Sequence, residues 1–494
     1  MTGLDFPLWL RTFHFLNIVF LSLIMRSGIE ILSAHPKLYW HDNTVPDSEW
    51  IKFTKRKRPK KGLWTSRDQE EAFSSWIALP GHENLGLGRH WHFLTDTLWV
   101  ISGVTYVILL FATNEWQRIV PTSWSVFTDA WNAFGEYITL HIVISPKYNG
   151  LQMLAYFSVV FILAPLAILT GLTMSPAIVG RFPWYLRIFG GRQKARSFHF
   201  IILGLFLLFT IVHTVMVILH GFAQELGAIV LGQTQNVNRG LALGVGLGGL
   251  VLLFVIHIVI TRYSLAHPRT VKNWMDAPLT FVRRLLFHHE PSKQNYAPSQ
   301  ISPDFIVNGR PPEEAEYAAL AKDNFANFVL EIGGLVEKPL HLRLADLQMM
   351  PKTSQITLHH CIEGWSSIGQ WGGVQLNHII KLCRPKPEVC YIVFYAFDNK
   401  TTSEPHPAGP GYFYGTLDLE LANHSQTILA YEFNGEPLPL PHGAPIRLRV
   451  ENQLGFKMVK YIRAIEFVTE YKSIGEGQGG WREDHQHYST EAGI

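Results

Sequence analysis

Cysteine is scarce in this chain: three in 494 residues, Cys361, Cys383 and Cys390, none of them in a CxxC or CxxCH pattern. That rules out a disulfide scaffold and argues against iron–sulfur clusters or covalent c-type haem held by this chain. Charge of one sign is also lacking. With 42 Lys and Arg against 39 Asp and Glu, the net charge of +3 gives no footprint for nucleic acid. No internal repeat is present. The mean hydropathy of +0.10 is too high for a typical soluble protein and too low for a purely membrane one. The average conceals a split, because nearly all long apolar runs lie before about residue 265 and the remainder reads as soluble.

Five segments have the roughly 20 mostly apolar residues that a bilayer crossing needs. They run approximately 9–32, 91–112, 152–175, 198–220 and 240–262. The first carries His14 and Asn17, has no basic leader and is followed by no small-residue cleavage site, so it reads as an anchor rather than a signal peptide. The basic run Lys55 to Lys61 reads as a solvated loop near anionic lipid. Residues 264–300 form a Pro-containing linker that includes His288 and His289. From about 301, short β-like runs separated by Gly and Pro turns (328–332, 355–358, 391–395, 446–450) predict a strand-rich α+β domain. The expected division is 1–225 for a helical membrane domain, 226–300 for a fifth helix and linker, 301–475 for the soluble domain and 476–494 for a polar tail that wraps a surface or stays loose.

His199 and His213 are fourteen residues apart on one apolar segment. Nearly four helical turns put them on one face, about 21 Å apart along the axis. A titratable side chain inside a bilayer is costly and points to function, and haem iron is commonly held by histidine. If successive helices run in opposite directions, depth pairs His92 or His90 with His199, and His14 with His213. His90 and His92 point about 200° apart on a helix, so only one faces the bundle, and His92 is favoured. Arg11, Arg89 and Arg196 near the helix starts are candidates for haem propionates or are ordinary interfacial arginines. His220 is a candidate quinone-site or surface residue, and His257 reads as packed or interfacial.

The carriers of a family resemblance lie within 1–225: Arg11-Thr12-Phe13-His14-Phe15-Leu16-Asn17, Gly88-Arg89-His90-Trp91-His92-Phe93, Tyr148-Asn149-Gly150-Leu151-Gln152, Leu169-Thr170-Gly171 through Pro176, and Ala195-Arg196-Ser197-Phe198-His199. This part resembles the di-haem cytochrome b subunits of formate dehydrogenases, nickel–iron hydrogenases and thiosulfate reductases. The resemblance implies two b-type haems on His14, His92, His199 and His213, and electron exchange between quinone and a catalytic partner that here is fused to the same chain.

In the second half, His359-His360-Cys361-Ile362-Glu363-Gly364-Trp365-Ser366 holds the informative cysteine. A lone thiolate cannot build a zinc or iron–sulfur site, but it can give one ligand to a metal otherwise held by a cofactor. Three further blocks follow: Leu429 through Pro439, His442-Gly443-Ala444-Pro445-Ile446-Arg447, and Gly455-Phe456-Lys457-Met458-Val459-Lys460. With these, residues 302–470 resemble the sulfite-oxidase fold of molybdopterin enzymes. The resemblance implies molybdenum on Cys361, the pterin phosphate on His442, Arg447 and Lys460 with Lys457 as neighbour, and a weaker pterin contact at Asn308. Arg and Lys suit a buried dianionic phosphate. The run after the cysteine is closer to the bacterial branch that includes periplasmic methionine-sulfoxide reductases, and no arginine cluster for sulfite is evident near Cys361. Cys383 and Cys390 read as core residues. His359 and His360 either line the pocket or sit on a strand with one side out.

The side of the membrane is contested within the sequence. The loops after helices one and three carry nine (not counting Arg89, next to the second helix) and five Lys and Arg, those after two and four carry two and one, which favours an internal soluble domain. The cytochrome resemblance implies the reverse, and Asn236-Val237-Asn238-Arg239-Gly240-Leu241 faintly resembles a twin-arginine export signal. The expectation is a multi-pass protein of the bacterial cytoplasmic (inner) membrane with its catalytic domain on the periplasmic side. The function expected is a molybdopterin-dependent oxidoreductase that transfers an oxygen atom on a small S- or N-containing substrate. Its partners are membrane lipid, quinone or quinol and a small oxo donor or acceptor, with a soluble redox partner left open. The alternative is a non-catalytic cytochrome b electron-transfer anchor with a docking C-terminal domain.

Overall fold

A computed structural model describes every residue except 1–5, 60, 140–147, 234, 288–294, 404–410, 452, 491 and 493–494. His288 and His289 of the linker, and Lys60 and Lys147 of the loop counts, lie outside the described residues. Among the described residues, five helices are long and apolar enough to cross a membrane: α1 (Leu8–Ala34), α2 (Leu85–Ala112), α3 (Gly150–Thr173), α4 (Arg192–Leu219) and α5 (Arg239–Ala266). Helices α2 and α4 start six residues before the expected 91 and 198. The added turns, Leu85–His90 and Arg192–Ser197, contain charged residues that a hydropathy window rejects. Within α3, Ser158–Leu163 widens to a π-helical turn. Pro165, which lacks an N–H, explains the local loss of the i→i−4 bond.

The chain divides into two compact units, one of 1–28, 91–171 and 198–266, the other of 29–90, 172–197 and 267–494. The first is an all-α bundle. Its apolar side chains point outward on α5, where Leu250, Val251, Phe254 and Val259 are exposed, as lipid-facing residues are. Polar pairs hold the helices together from inside. Arg26 of α1 donates to His257 Nδ1 (2.7 Å) and Thr261 Oγ1 (3.0 Å) of α5, and Trp91 Nε1 of α2 donates to Ser264 Oγ (2.9 Å). The short helix Ser125–Ile138 exposes Phe127, Trp131, Phe134 and Ile138 at helical spacing, the pattern of a helix lying in a membrane interface.

The second unit contains two five-stranded sheets. In one, Glu436–Pro437, Ile428–Phe433, Ser366–Gln375 and Lys352–His360 lie side by side and antiparallel, with Arg447–Arg449 also on Ile428–Phe433. In the other, the order is Leu340–Arg343, Val329–Gly334, Ile462–Val468, Tyr391–Asn399, Tyr412–Asp418, with one parallel pair, Val329–Gly334 against Ile462–Val468. A core of Phe328, Leu330, Ile392, Phe394, Leu448 and Ile465 packs between the elements.

Residues 29–90 and 172–197 pack with this unit. Side-chain chemistry explains it. Thr44 Oγ1 donates to Ser366 O (2.9 Å). The described residues of the basic run are exposed, as expected, and Arg58 among them pairs with Asp304 (2.8 Å). Of the two alternatives for the tail, its described residues take the first and pack on the domain: Trp481, Glu483, Asp484 and Tyr488 are buried, Tyr488 packs on Phe456, and Leu454 N–H donates to Ala492 O (2.8 Å).

Candidate functional site

Cys361 follows the strand Lys352–His360 and precedes Ser366–Gln375 in a tight turn. Its N–H donates to Trp365 O (3.1 Å), and Gly364 N–H returns to Cys361 O (3.2 Å). Gly364 sits at φ +112°, a conformation that only glycine adopts without strain. The turn therefore fixes where the sulfur points. Asn308 Nδ2 donates to Cys361 Sγ (3.5 Å) and to Glu363 Oε1 (2.9 Å), while Trp365 Nε1 donates to Glu363 Oε2 (2.8 Å). Burial, reinforced by the Glu363 carboxylate, pushes the Cys361 thiol well above its ordinary pKa. Alone it is a poor nucleophile; a metal cation would hold it as thiolate.

The cavity at Cys361 is lined by Asn308, His442, Arg447 and Lys460, together with His359, Lys400 and Arg482. Arg447 Nη1 donates to His442 O (2.8 Å), and its guanidinium lies 4.8 Å over the Trp371 ring. Its Nε is buried with no hydrogen-bond partner among the described residues, a donor that a phosphate oxygen would satisfy. Burial beside Arg449 brings Arg447 down to about 9, so it remains a cation at neutral pH. Lys460 Nζ donates to Asn308 O, Pro441 O and Tyr461 OH. Burial, with Lys460 and Arg447 beside it, lowers His442 to about 3 and keeps it neutral. These donors fit the phosphate end of a pterin cofactor.

Lys457 differs from its expected place as a cofactor neighbour. Its Nζ is buried against Glu483 Oε1 (2.8 Å) and does not line the cavity. The spacing of a Gly-Phe-Lys turn does not reveal which lysine faces inward; the tail carboxylate decides it. Sequence reading missed Arg482 and Lys400. Arg482 belongs to the tail, which carries no motif, and Lys400 is buried against Asp398 (2.6 Å). Of the alternatives for His359, the pocket is its place: Arg449 Nη1 donates to its Nδ1 (3.0 Å), and Arg449 is itself held by Glu451. Cys383 is a core residue, whereas Cys390 is exposed. Arg196 donates to His35 O and Lys37 O, and Arg11 to Val230 O, so backbone carbonyls engage both.

Burial lowers the pKa of His35, His359, His360 and His442. Below about pH 6.5 the unfolded chain takes up protons that the folded unit refuses. Stability is therefore full above that pH and falls below it, by about 1.4 kcal/mol per pH unit for each such imidazole. The expected result is a thermal midpoint, followed by near-ultraviolet circular dichroism, that drops steeply between pH 6.5 and 5. In His360→Gln the slope is shallower. A flat profile would show that these imidazoles ionise in the folded state.

In the helical unit, His92 and His199 face each other with ring centres 6.4 Å apart, and His14 and His213 with centres 6.3 Å apart. Two imidazoles bound through ring nitrogens about 2 Å from one metal ion stand about 6 Å apart, so both pairs fit a shared iron. His92 Nδ1 donates to Ile24 O (3.2 Å) beside Ser27 Oγ (3.1 Å), and His199 Nδ1 to Ala167 O (3.1 Å) beside Thr170 Oγ1 (3.0 Å). Fixing Nδ1–H on a carbonyl makes Nε2 the metal-binding nitrogen, the usual outer support of a ligating histidine. His213 Nδ1 lies 3.5 Å from Tyr156 OH. His90 is engaged elsewhere, by Gly86 O (2.8 Å) and Asp276 Oδ1 (2.9 Å).

Two families match this chain: prokaryotic cytochrome b561 over residues 5–232, and the oxidoreductase molybdopterin binding domain over 317–474. Among curated relatives, the putative protein-methionine-sulfoxide reductase subunit YedZ1 of Azospira oryzae is 30% identical over 38% of this chain and 67% of its own. The catalytic subunit MsrP of protein-methionine-sulfoxide reductase from Campylobacter jejuni is 28% identical over 36% of this chain and 63% of its own. The uncharacterized oxidoreductase YuiH of Bacillus subtilis is 32% identical over 30% and 69%. The chain thus spans about two thirds of the length of each.

Proposed function

Because this chain belongs to the prokaryotic cytochrome b561 family through its helices and to the molybdopterin-binding oxidoreductases through its C-terminal domain, we propose that it reduces a small S- or N-oxide with electrons drawn from quinol. When bound, molybdenum–molybdopterin supplies oxygen-atom transfer and two b-type haems supply single-electron steps. The chain's own residues do the holding. Cys361 gives the metal a thiolate, Asn308 orients its sulfur, and His442, Arg447 and Lys460 grip the pterin phosphate. His92 with His199, and His14 with His213, hold the haems. Arg482 and Lys400 give the cavity cationic donors for a polar oxygen. The names of the relatives favour a sulfoxide as substrate and reduction as direction.

The observation that carries this reading is the meeting of four membrane histidines in two facing couples, in a chain that also buries Cys361 beside an unsatisfied arginine donor. A periplasmic catalytic side, in a bacterial cytoplasmic membrane, belongs to the same proposal. The resemblance to the di-haem cytochromes, which implies an external catalytic domain, supports that side, and the odd loops, which share a unit with the domain, go with it. Elemental analysis and a pyridine haemochrome spectrum of detergent-purified protein test the reading. The expected result is two b haems and one molybdenum per chain. Two haems without molybdenum, from a host that makes the cofactor, would leave only an electron-transfer anchor.

A further inference from the structure

We propose that Arg192 and Gln193, in the first turn of the helix that carries His199, are positioning residues of the Cys361 centre, and that the Arg192 charge raises the reduction potential of the metal held there. The inference rests on Cys361 being the molybdenum ligand. An arginine and a glutamine at the start of a membrane helix ordinarily sit in the interface, in water. Here both are buried, at 4% and 0% exposure. Arg192 Nη1 donates to Gly364 O (2.9 Å) and Trp365 O (3.0 Å). Gln193 Nε2 donates to the same Gly364 O (2.8 Å) and to Ser366 Oγ (2.9 Å). Trp365 O also accepts the Cys361 N–H (3.1 Å), so one carbonyl oxygen joins the cysteine backbone to the guanidinium. Arg196 closes the turn from beneath: a Cβ on Gly364 would lie 3.3 Å from its guanidinium.

Hydrogen bonds alone do not account for this choice of residue. Burying a guanidinium is costly, and Gln193 shows that a neutral amide reaches the same carbonyl. Asp42 accepts the Gln193 N–H (2.8 Å) and acts as a counter-charge to Arg192, so the field at Cys361 is that of the guanidinium less what this carboxylate offsets. A fixed positive charge close to a thiolate-bound metal, in a medium of low dielectric, stabilises the more electron-rich state. Supports of this kind typically change metal affinity or activity about 10- to 100-fold.

Potentiometric titration of the molybdenum electron paramagnetic resonance signal tests this in the intact, cofactor-loaded protein, with the haem spectrum as internal control. Arg192→Gln is expected to keep its molybdenum, shift the molybdenum midpoint to lower potential and slow turnover about 10- to 100-fold. Arg192→Lys, which keeps the charge on a shorter side chain without the planar guanidinium, is expected to hold the wild-type midpoint. Gln193→Leu, which removes the amide without changing charge, is expected to alter the shape of the signal but not the midpoint, and it serves if Arg192→Gln does not fold. An unmoved midpoint in Arg192→Gln, or the same shift in all three variants, overturns the charge role. If the wild type holds no molybdenum, the reading of Cys361 fails first, and the inference with it.

Discussion

Replacing Cys361 with serine is expected to lower turnover by more than about 100-fold, beyond the range typical of outer-shell ligand supports, while the haem spectrum stays that of the wild type. The exchange is nearly isosteric. The turn rests on the backbone bonds between Cys361, Gly364 and Trp365, and Asn308 donates to an oxygen as readily as to sulfur, so folding survives. What changes is ligand softness, since a hydroxyl is a far poorer partner than a thiolate for a metal held by sulfur. Reduced viologen as donor and a sulfoxide as acceptor report the loss without involving the helices. Cys390→Ser, at an exposed site, is the matched control and is expected to leave turnover unchanged. Wild-type turnover in Cys361→Ser would remove the cysteine from the metal site.

The burial of this thiol shows what the sequence could and could not reveal. The motif blocks named Cys361, His442, Arg447 and Lys460, and one cavity gathers all four. They were legible only through the resemblance the blocks carry, since Cys361 alone reads as a buried core cysteine. Arg482 was not, because its place depends on a tail fixed by buried pairs such as Lys457 with Glu483, partners separated by 26 residues with no periodic signal between them. The five spans were legible from apolar length alone. The polar first turns of α2 and α4 were not, since Arg192 and Gln193 are hydrophilic residues whose burial comes from distant carbonyls. Depth along the helices paired the histidines, but the choice between His90 and His92 needed the partner of each ring, Asp276 for one and Ile24 for the other.

That difference gives the second large effect. His199→Leu is expected to lower the haem content from two to one per chain and to cut quinol-driven turnover by more than about 100-fold, again beyond outer-shell effects. Viologen-driven turnover at the Cys361 cavity should remain. Leucine keeps an apolar volume in the helix but provides no nitrogen, so His92 loses the ring facing it at 6.4 Å, while the His14 and His213 pair keeps its own 6.3 Å spacing. His92→Leu is expected to give the same loss, because either member of a bis-histidine pair is indispensable. His90→Gln is expected to retain both haems, because His90 spends its nitrogens on Gly86 O and Asp276; its cost falls on the stability of the C-terminal unit. Reductive titration followed at the haem α-band separates these cases. Two haems surviving in His199→Leu would require another ligand opposite His92, and loss of one in His90→Gln would move the site by half a helical turn.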